Sequence, residues 1–343
     1  MFEQRKGDFM DKKMAALSLF AVGDLRLIET EIPTCKEDEV LVKIKNCGIC
    51  GSDIGRVFKN GTYHFPTIPG HEFAGEVVFD PNGDLNGKRM VVFPLLPCFK
   101  CEMCKKGMYA QCSSYDYYGS RRDGAFAEYI AVKKFNLLEI PENVSFEEGA
   151  MCEPVSVALH AVKKAGIKRG DTVLISGAGP IGLIAGQWAR MFGAEKVLMF
   201  DIDSEKIEFC KKNGFYEYKE NDEFHIAIEG TGAGNALARI IEGISASGKI
   251  VLMGNPAREV SLSPKNYQQI LRKELRLEGT WNSSYSDVQN DWKESLAAMA
   301  DGKLNLKPLI THRVSLSECG AMLEKMRDKK EFYCKVMIDN EKR

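Results

Sequence analysis

The sequence carries no surplus of charge of either sign: 47 Lys and Arg stand against 48 Asp and Glu over 343 residues, a net charge of -1. A chain so balanced has no field with which to gather a polyanion, so no nucleic-acid partner is expected. It also lacks any apolar run of about 18 residues or more, which excludes a helical membrane span. Nor does the N-terminus "MFEQRKGDFMDKKMAALSLF" hold a secretory core, because the apolar stretch "MAALSLFAVG" is short and is broken by Gly23 and Asp24. The first dozen residues are polar and read as a frayed leader. Tandem repeats, long linkers and low-complexity tracts are missing too. These absences predict a cytoplasmic protein whose thiols stay reduced. Its length suits two domains with separate cores.

What the sequence does have is cysteine: eleven, an odd number, with four in "PCFKCEMCKKGMYAQC". Clustered thiols in a reducing compartment favour a metal over disulfides. Cys98, Cys101, Cys104 and Cys112 follow C-x2-C-x2-C-x7-C, a compact loop suited to four thiolates around one zinc at about 2.3 Å. A site closed by four sulfurs has no open coordination position, so it staples its loop and does no chemistry. An iron–sulfur cluster is the main rival, since C-x2-C-x2-C also occurs in ferredoxins. Those usually place the next cysteine before a proline, whereas Cys112 precedes Ser113. A nucleic-acid zinc ribbon fits poorly with the near-neutral charge.

Three textures divide the chain. Residues 13–152 are rich in short β-type runs and Gly/Pro turns, as in "VLVKIKNCGICGSD" and "GKRMVVFPLLP". Across 153–282, strands and helices alternate through "DTVLISGAG", "PIGLIAGQWARMFG", "KVLMFDID", "SEKIEFCKKNG", "FHIAIEGTG" and "GKIVLMG". Such alternation predicts a doubly wound parallel sheet and places the chain in the α/β class. Residues 283–343 mix a helix, "DVQNDWKESLAAMADG", with a strand, "EFYCKVMID".

In "ISGAGPIG", Gly177, Gly179 and Gly182 form G-x-G-x-x-G between a hydrophobic strand and a helix opened by Pro180 and Ile181. The pattern predicts a dinucleotide site: Gly177 for the turn, Gly179 for the approach of a pyrophosphate, Gly182 for helix–strand packing, and N–H groups at the helix start for the phosphate oxygens. A tight βα turn without a ligand is the plainer alternative. Asp201 lies 19 residues past Gly182, where a carboxylate meets the adenosine ribose and repels a 2′-phosphate. With no Arg immediately after it, NAD is favoured over NADP. Asp203 competes for that role but is expected to cap the next helix. Thr231, Gly232 and Gly254 fall at strand C-terminal ends, where the nicotinamide half is expected.

A second set of metal donors is scattered: Cys50 in "NCGICGSD", His71 and Glu72 in "PGHEFAG", and Glu153 in "MCEPVSVALHA". Singly, each reads as a buried thiol, a core imidazole or a solvated carboxylate. Together they match an open catalytic zinc site, although no spacing rule joins Cys50 to Glu153. With "GICGSD", "PGHEFAG", the four-cysteine lobe, "DGAFAEYI", "EPVSVALHAV" and "ISGAGPIGL" in this order, the chain from about Lys13 onward resembles the zinc-dependent medium-chain alcohol and polyol dehydrogenases. The resemblance implies a GroES-like catalytic domain over 13–152, a Rossmann domain over 153–282, and a return to the catalytic domain over 283–343. It implies catalytic zinc on Cys50, His71 and Glu153, with Glu72 adjacent and ranked below them. It also implies structural zinc on the four cysteines, hence two zincs per chain, and NAD. The implied reaction takes a secondary alcohol to a ketone, with zinc as Lewis acid, hydride going to the nicotinamide and Ser52 relaying the proton. The alternative for Ser52 is a cap on a helix starting at Asp53.

Within the family, "GICGSDIGRVFKNGTYHFP", "PLLPCFKC", "YDYYGSRRDGAFAEY" and "LRKELRLEGTW" are similar to members acting on phosphorylated polyols. These segments carry Lys59, Arg121 and Arg122, cations suited to a phosphate; a solvated basic turn is the plainer reading. One departure is "FDPNGDLNGKRMVV", where Lys88 stands in place of the Asp of a "GDRV" turn. It alters a surface turn and no ligand. A neutral-polyol dehydrogenase with the same zinc and NAD is the runner-up. A non-catalytic NAD(H)-binding zinc protein is a third reading, and it would be expected to lose Cys50, His71 or Glu153. The late strand in "LRLEGTW", pairing across a two-fold axis, predicts a homodimer or homotetramer.

Overall fold

From Val173 to Ser176 every residue of the strand Thr172–Ser176 is buried. Successive side chains of a strand point to opposite faces, so both faces of this one are covered, as in a parallel sheet flanked by helices. The computed structural model, which describes residues 12–342, shows that sheet. Its six strands run in the order Tyr216–Glu217, Lys196–Phe200, Thr172–Ser176, Ile226–Glu229, Lys249–Leu252, Arg276–Gly279. Every neighbouring pair is parallel. The helices Pro180–Met191, Ser204–Lys212, Gly234–Gly243 and Pro264–Arg272 connect them. Leu174, Leu198, Phe224, Ile240 and Ile250 are among the residues of the core between. The polar residues ahead of Lys12, read above as a leader, lie outside the described residues.

The chain divides into two units, Pro154–Ser283, which holds this sheet, and Met1–Glu153 with Ser284–Arg343. In the second of these a seven-stranded sheet is built on Glu39–Ile49. Its path runs Ile310–Val314, Lys335–Asp339, Glu39–Ile49, Glu72–Phe79, Arg89–Val92, Leu137–Glu139, and Tyr129–Lys133 also pairs with Glu39–Ile49. All pairings are antiparallel except that of Ile310–Val314 with Lys335–Asp339. The C-terminal strand therefore lies against a strand almost 300 positions earlier, with Val336 opposite Ile49. Short strands Leu95–Leu96 and Asp116–Tyr117 pair to close the base of the four-cysteine lobe. No helix among the described residues is long and apolar enough to cross a membrane.

Candidate functional site

In the lobe, the four sulfurs of Cys98, Cys101, Cys104 and Cys112 lie within 4.8 Å of one another. Cys98 Sγ and Cys104 Sγ are 3.9 Å apart. Four zinc–sulfur bonds of about 2.3 Å in a tetrahedron put the sulfurs about 3.8 Å apart, so the donor set fits zinc as it stands. Backbone N–H groups point at the sulfurs: Cys101 N at 3.4 Å from Cys98 Sγ, Cys104 N at 3.5 Å from Cys101 Sγ, Cys98 N at 3.4 Å from Cys112 Sγ. Such bonds favour the thiolate. The N–H groups of Lys100 and Cys101 pull the Cys98 thiol down to about 6. Those of Cys104 and Ser113 lower Cys101. Edge-to-face contacts among Phe99, Tyr109 and Phe135 anchor the outside of the loop.

The second donor set forms where two strands end. Cys50 directly follows Glu39–Ile49 and caps the helical turn Gly51–Gly55, and Asp53 Oδ2 accepts from Cys50 N at 2.9 Å. His71 and Glu72 open Glu72–Phe79, and Glu72 faces Gly48 across the sheet. Cys50 Sγ, a His71 ring nitrogen and a Glu72 oxygen lie within 4.8 Å of one another. His71 Nδ1 is turned to Asp53 Oδ1 at 3.4 Å, which leaves Nε2 for an ion and fixes the ring as metal-bound imidazoles require. Burial opposes a charge on Asp53, but His71 and Arg56 beside it hold its carboxyl at about 2. One thiolate, one imidazole and one carboxylate make a three-donor set with a coordination position left over, the composition of an open catalytic zinc site.

Two cations in this centre were missed in the sequence. Lys335, in Lys335–Asp339, pairs with Glu72 Oε2 and donates to Ile49 O at 3.1 Å; both side chains of the pair are buried. Gly48 makes room for them: a Cβ there would stand 2.7 Å from Lys335 Cε and against the Glu72 carboxylate. Arg56 Nη1 donates to Asp53 Oδ1 at 2.8 Å and to Ser52 Oγ at 2.9 Å. The only signal for Lys335 was a lysine inside an otherwise apolar run, and Arg56 had none.

The two glutamates sit differently around this set. Glu72 joins the compact set, while Glu153, at the start of the helix Cys152–Ala165, stands beside it and is not one of the three grouped donors. Glu153 Oε1 accepts from Tyr117 Oη at 3.4 Å. Burial pushes its carboxyl up to about 7 against the pull of His71. Ser52 lies inside the turn that Cys50 caps, so it caps nothing there.

In the parallel sheet, Gly177 takes φ +106°, and a Cβ on Gly182 would collide with Gly177 O. Apart from Gly179 itself and its two chain neighbours, no atom of the described residues lies within 4 Å of where a Cβ of Gly179 would be, so the space in front of that residue is open to a ligand. Gly179 caps Pro180–Met191 without a side-chain bond, leaving the N–H groups of the first turn, Pro180 apart, to an incoming anion. These features fit a dinucleotide. Asp201 accepts from Ala178 N at 2.9 Å and Asp203 N at 3.0 Å, tying the glycine loop to the next strand. Asp203 is the N-cap of Ser204–Lys212, as expected.

Asp201 and Thr231 line one cavity of about 130 Å³ with Ile202 and Arg239. Thr231 also lines a second cavity, with Gly232 and Asn235. Gly254 packs against Thr231 at the neighbouring strand end. Lys206 Nζ is 3.9 Å from Asp201 Oδ2, and Arg239 Cζ is 4.5 Å over the Phe200 ring. A search for an Arg immediately after Asp201 could find neither. Of the three expected substrate cations, Arg122 is held by Asp116 at 2.6 Å, Lys59 is exposed on the turn Arg56–Asn60, and Arg121 is stacked on two tyrosine rings.

Comparisons with known proteins identify the family. A family model described as the alcohol dehydrogenase GroES-like domain matches residues 36–142, and one described as zinc-binding dehydrogenase matches residues 180–301. The chain belongs to the zinc-dependent medium-chain alcohol dehydrogenase family: it is a dehydrogenase with a GroES-like and a Rossmann domain. Galactitol 1-phosphate 5-dehydrogenase of Escherichia coli strain K12 is 38% identical to it over 313 residues, 85% of this chain and 90% of that protein. The crystal structure of galactitol-1-phosphate dehydrogenase from Escherichia coli is similar with a TM-score of 0.89 at 35% identity, covering 95% of this chain and 100% of that one. Sorbitol dehydrogenase of Bacillus subtilis strain 168 is 29% identical over 351 residues, 95% of this chain and 97% of that protein.

Proposed function

We propose that the protein is an NAD-linked polyol-phosphate dehydrogenase that oxidises a secondary alcohol to a ketone, with galactitol 1-phosphate as substrate and tagatose 6-phosphate as product. The observation that carries the reading is the compact set of Cys50, His71 and Glu72; the 38% identity to galactitol 1-phosphate 5-dehydrogenase supports the substrate. In this reading the three donors, with Glu153 beside them, hold a catalytic zinc. Cys98, Cys101, Cys104 and Cys112 hold a structural one. The loop Gly177–Gly182 holds the pyrophosphate, Asp201 the ribose, and Thr231 and Gly254 the strand-end loops around the cofactor. Zinc in such a site acidifies a substrate hydroxyl and NAD⁺ takes the hydride.

The protein's own part in proton movement falls to Ser52. A hydroxyl has one donor and two acceptor lone pairs, and Arg56 Nη1 occupies one lone pair. The other accepts the substrate proton while the O–H donates its own onward, ending in water. Asp53 keeps the His71 ring oriented throughout. We further take the protein to be cytoplasmic, where four gathered thiols stay reduced, and to be a homodimer or homotetramer.

A neutral-polyol dehydrogenase is the second reading, supported by the match to sorbitol dehydrogenase over 95% of the chain. Metal analysis and steady-state rates with NAD⁺ decide between them. The proposal expects two zincs per chain, a higher kcat/KM for galactitol 1-phosphate than for sorbitol, and loss of turnover on chelation that zinc restores. A higher value for sorbitol selects the second reading. One zinc and no turnover on either substrate selects a non-catalytic nucleotide-binding protein.

A further inference from the structure

Arg121 is built differently from its neighbour Arg122. Arg122 is neutralised by Asp116, whereas among the described residues Arg121 has no carboxylate partner. Its guanidinium packs against two rings, with Cζ 4.1 Å from the Tyr63 centroid and 4.5 Å from that of Tyr115. Nη2 donates to Tyr63 Oη at 3.1 Å. The backbone beneath is tied down by His64, whose Nε2 donates to the Arg121 carbonyl at 3.2 Å. Two rings thus hold the cation, and the N–H groups not given to Tyr63 lie in one plane along its edge. That edge is the part of a guanidinium that matches two oxygens of a phosphate. Stacking has already removed most of the side chain's freedom, so little is left to lose on binding. Tyr63 Oη, having accepted from Nη2, keeps its own O–H to donate to a third oxygen. Tyr63 is 70% exposed and Arg121 is half-buried, so the pair is reachable from solvent.

The stack is also joined to the metal centre. Tyr115 meets Tyr117 edge to face at 6.3 Å, Tyr117 meets the His71 ring at 5.7 Å, and Tyr117 Oη donates to Glu153. A substrate with one hydroxyl at Cys50, His71 and Glu72 has this ladder of rings leading from its reacting end toward Arg121.

We propose that Tyr63, Arg121 and Tyr115 form a clamp for the phosphate monoester of the substrate, an assignment that rests on the polyol-phosphate reading and supplies its specificity. Arg121 takes two phosphate oxygens along its edge, Tyr63 a third, and the Tyr115 ring holds the cation in place. An uncharged polyol leaves the edge in water and gains nothing from it. The plainer role for the stack is to fasten the turn around Tyr63 to the segment around Tyr115, and that role would treat both substrates alike.

The test is the ratio of kcat/KM for galactitol 1-phosphate to that for galactitol, measured on the zinc-loaded enzyme with NAD⁺. Being internal to each variant, the ratio is insensitive to the amount of folded protein. Arg121→Ala is expected to lower it by about 10- to 100-fold through KM, the size of a lost charge-assisted pair. Arg121→Lys keeps the charge without the fork and falls between. Tyr63→Phe keeps the ring and loses a few-fold. Inorganic phosphate titrated into the enzyme–NADH complex in a calorimeter is expected to bind the unaltered protein and to bind Arg121→Ala at least tenfold more weakly. If the unaltered enzyme prefers the phosphorylated substrate and Arg121→Ala keeps that preference, the clamp is overturned and the substrate reading stands. If the unaltered enzyme has no such preference, the substrate reading falls and the clamp with it.

Discussion

Lys335 shows how much a single residue can decide. A lysine 2% exposed in the interior of a strand survives only if its charge is matched, and Glu72 is the match. Removing one member of a buried pair costs about 3–5 kcal/mol, because the other is left charged and dry. Here the stranded member is also a candidate zinc donor, so a bound metal would supply the missing positive charge. Lys335→Met is therefore expected to lower the melting temperature of chelated protein clearly more than that of zinc-loaded protein, read by calorimetry on matched samples. Equal losses in the two states would show that Glu72 and Lys335 matter only as packing. Neither half of this was legible beforehand. Val336, Met337 and Ile338 are buried as well, so the run looked apolar, and the register that brings Lys335 and Glu72 together across Gly48 is set by strands 263 positions apart. The same distance applies to the two glutamates: Glu72 and Glu153 were both visible as carboxylates, and only the folded chain shows their different neighbours, Lys335 for one and Tyr117 for the other.

Elements whose partners are close in sequence were read well. The alternation from Thr172 to Gly279 carries its own connections, so the parallel sheet and the glycine loop followed from local pattern alone. The four-cysteine lobe is equally local, since its ligands are fixed by one loop closed by Leu95–Leu96 and Asp116–Tyr117. The antiparallel sheet around Glu39–Ile49 was not readable strand by strand, because its neighbours come from both ends of the chain; motif resemblance supplied it. The lobe also makes a prediction at this scale. It buries only Cys104, Ala110 and Cys112 among its apolar residues, too little to hold a loop without its metal. Cys112→Ser is expected to reduce zinc from two to one per chain and to open 98–112 to limited proteolysis, while Cys50, His71 and Glu72 keep theirs. Two zincs retained, or iron in place of zinc in the unaltered protein, would refute the structural-zinc assignment.

At the scale of the whole molecule the parallel sheet has an end to account for. Arg276–Gly279 pairs with Lys249–Leu252 on one side and is the last strand in the order. Among the described residues no strand pairs with its other edge, and natural sheets blunt such an edge with charge or cover it with another chain. This edge carries Leu277 at 37% exposure, with Trp281 at 48% just beyond it. Such residues favour covering. Two copies related by a two-fold axis would set the strand antiparallel to itself, an isologous contact that continues the sheet and hides both apolar side chains. Light scattering after size exclusion is then expected to give at least twice the 38.3 kDa chain mass. Leu277→Lys, which puts two like charges into the self-paired strand, is expected to shift that mass toward the single chain. Binding of NADH should persist in the variant, because the glycine loop and Asp201 lie on strands at the opposite half of the sheet order. A single-chain mass for the unaltered protein, or a variant of unchanged mass, would mean that this edge is not where copies meet.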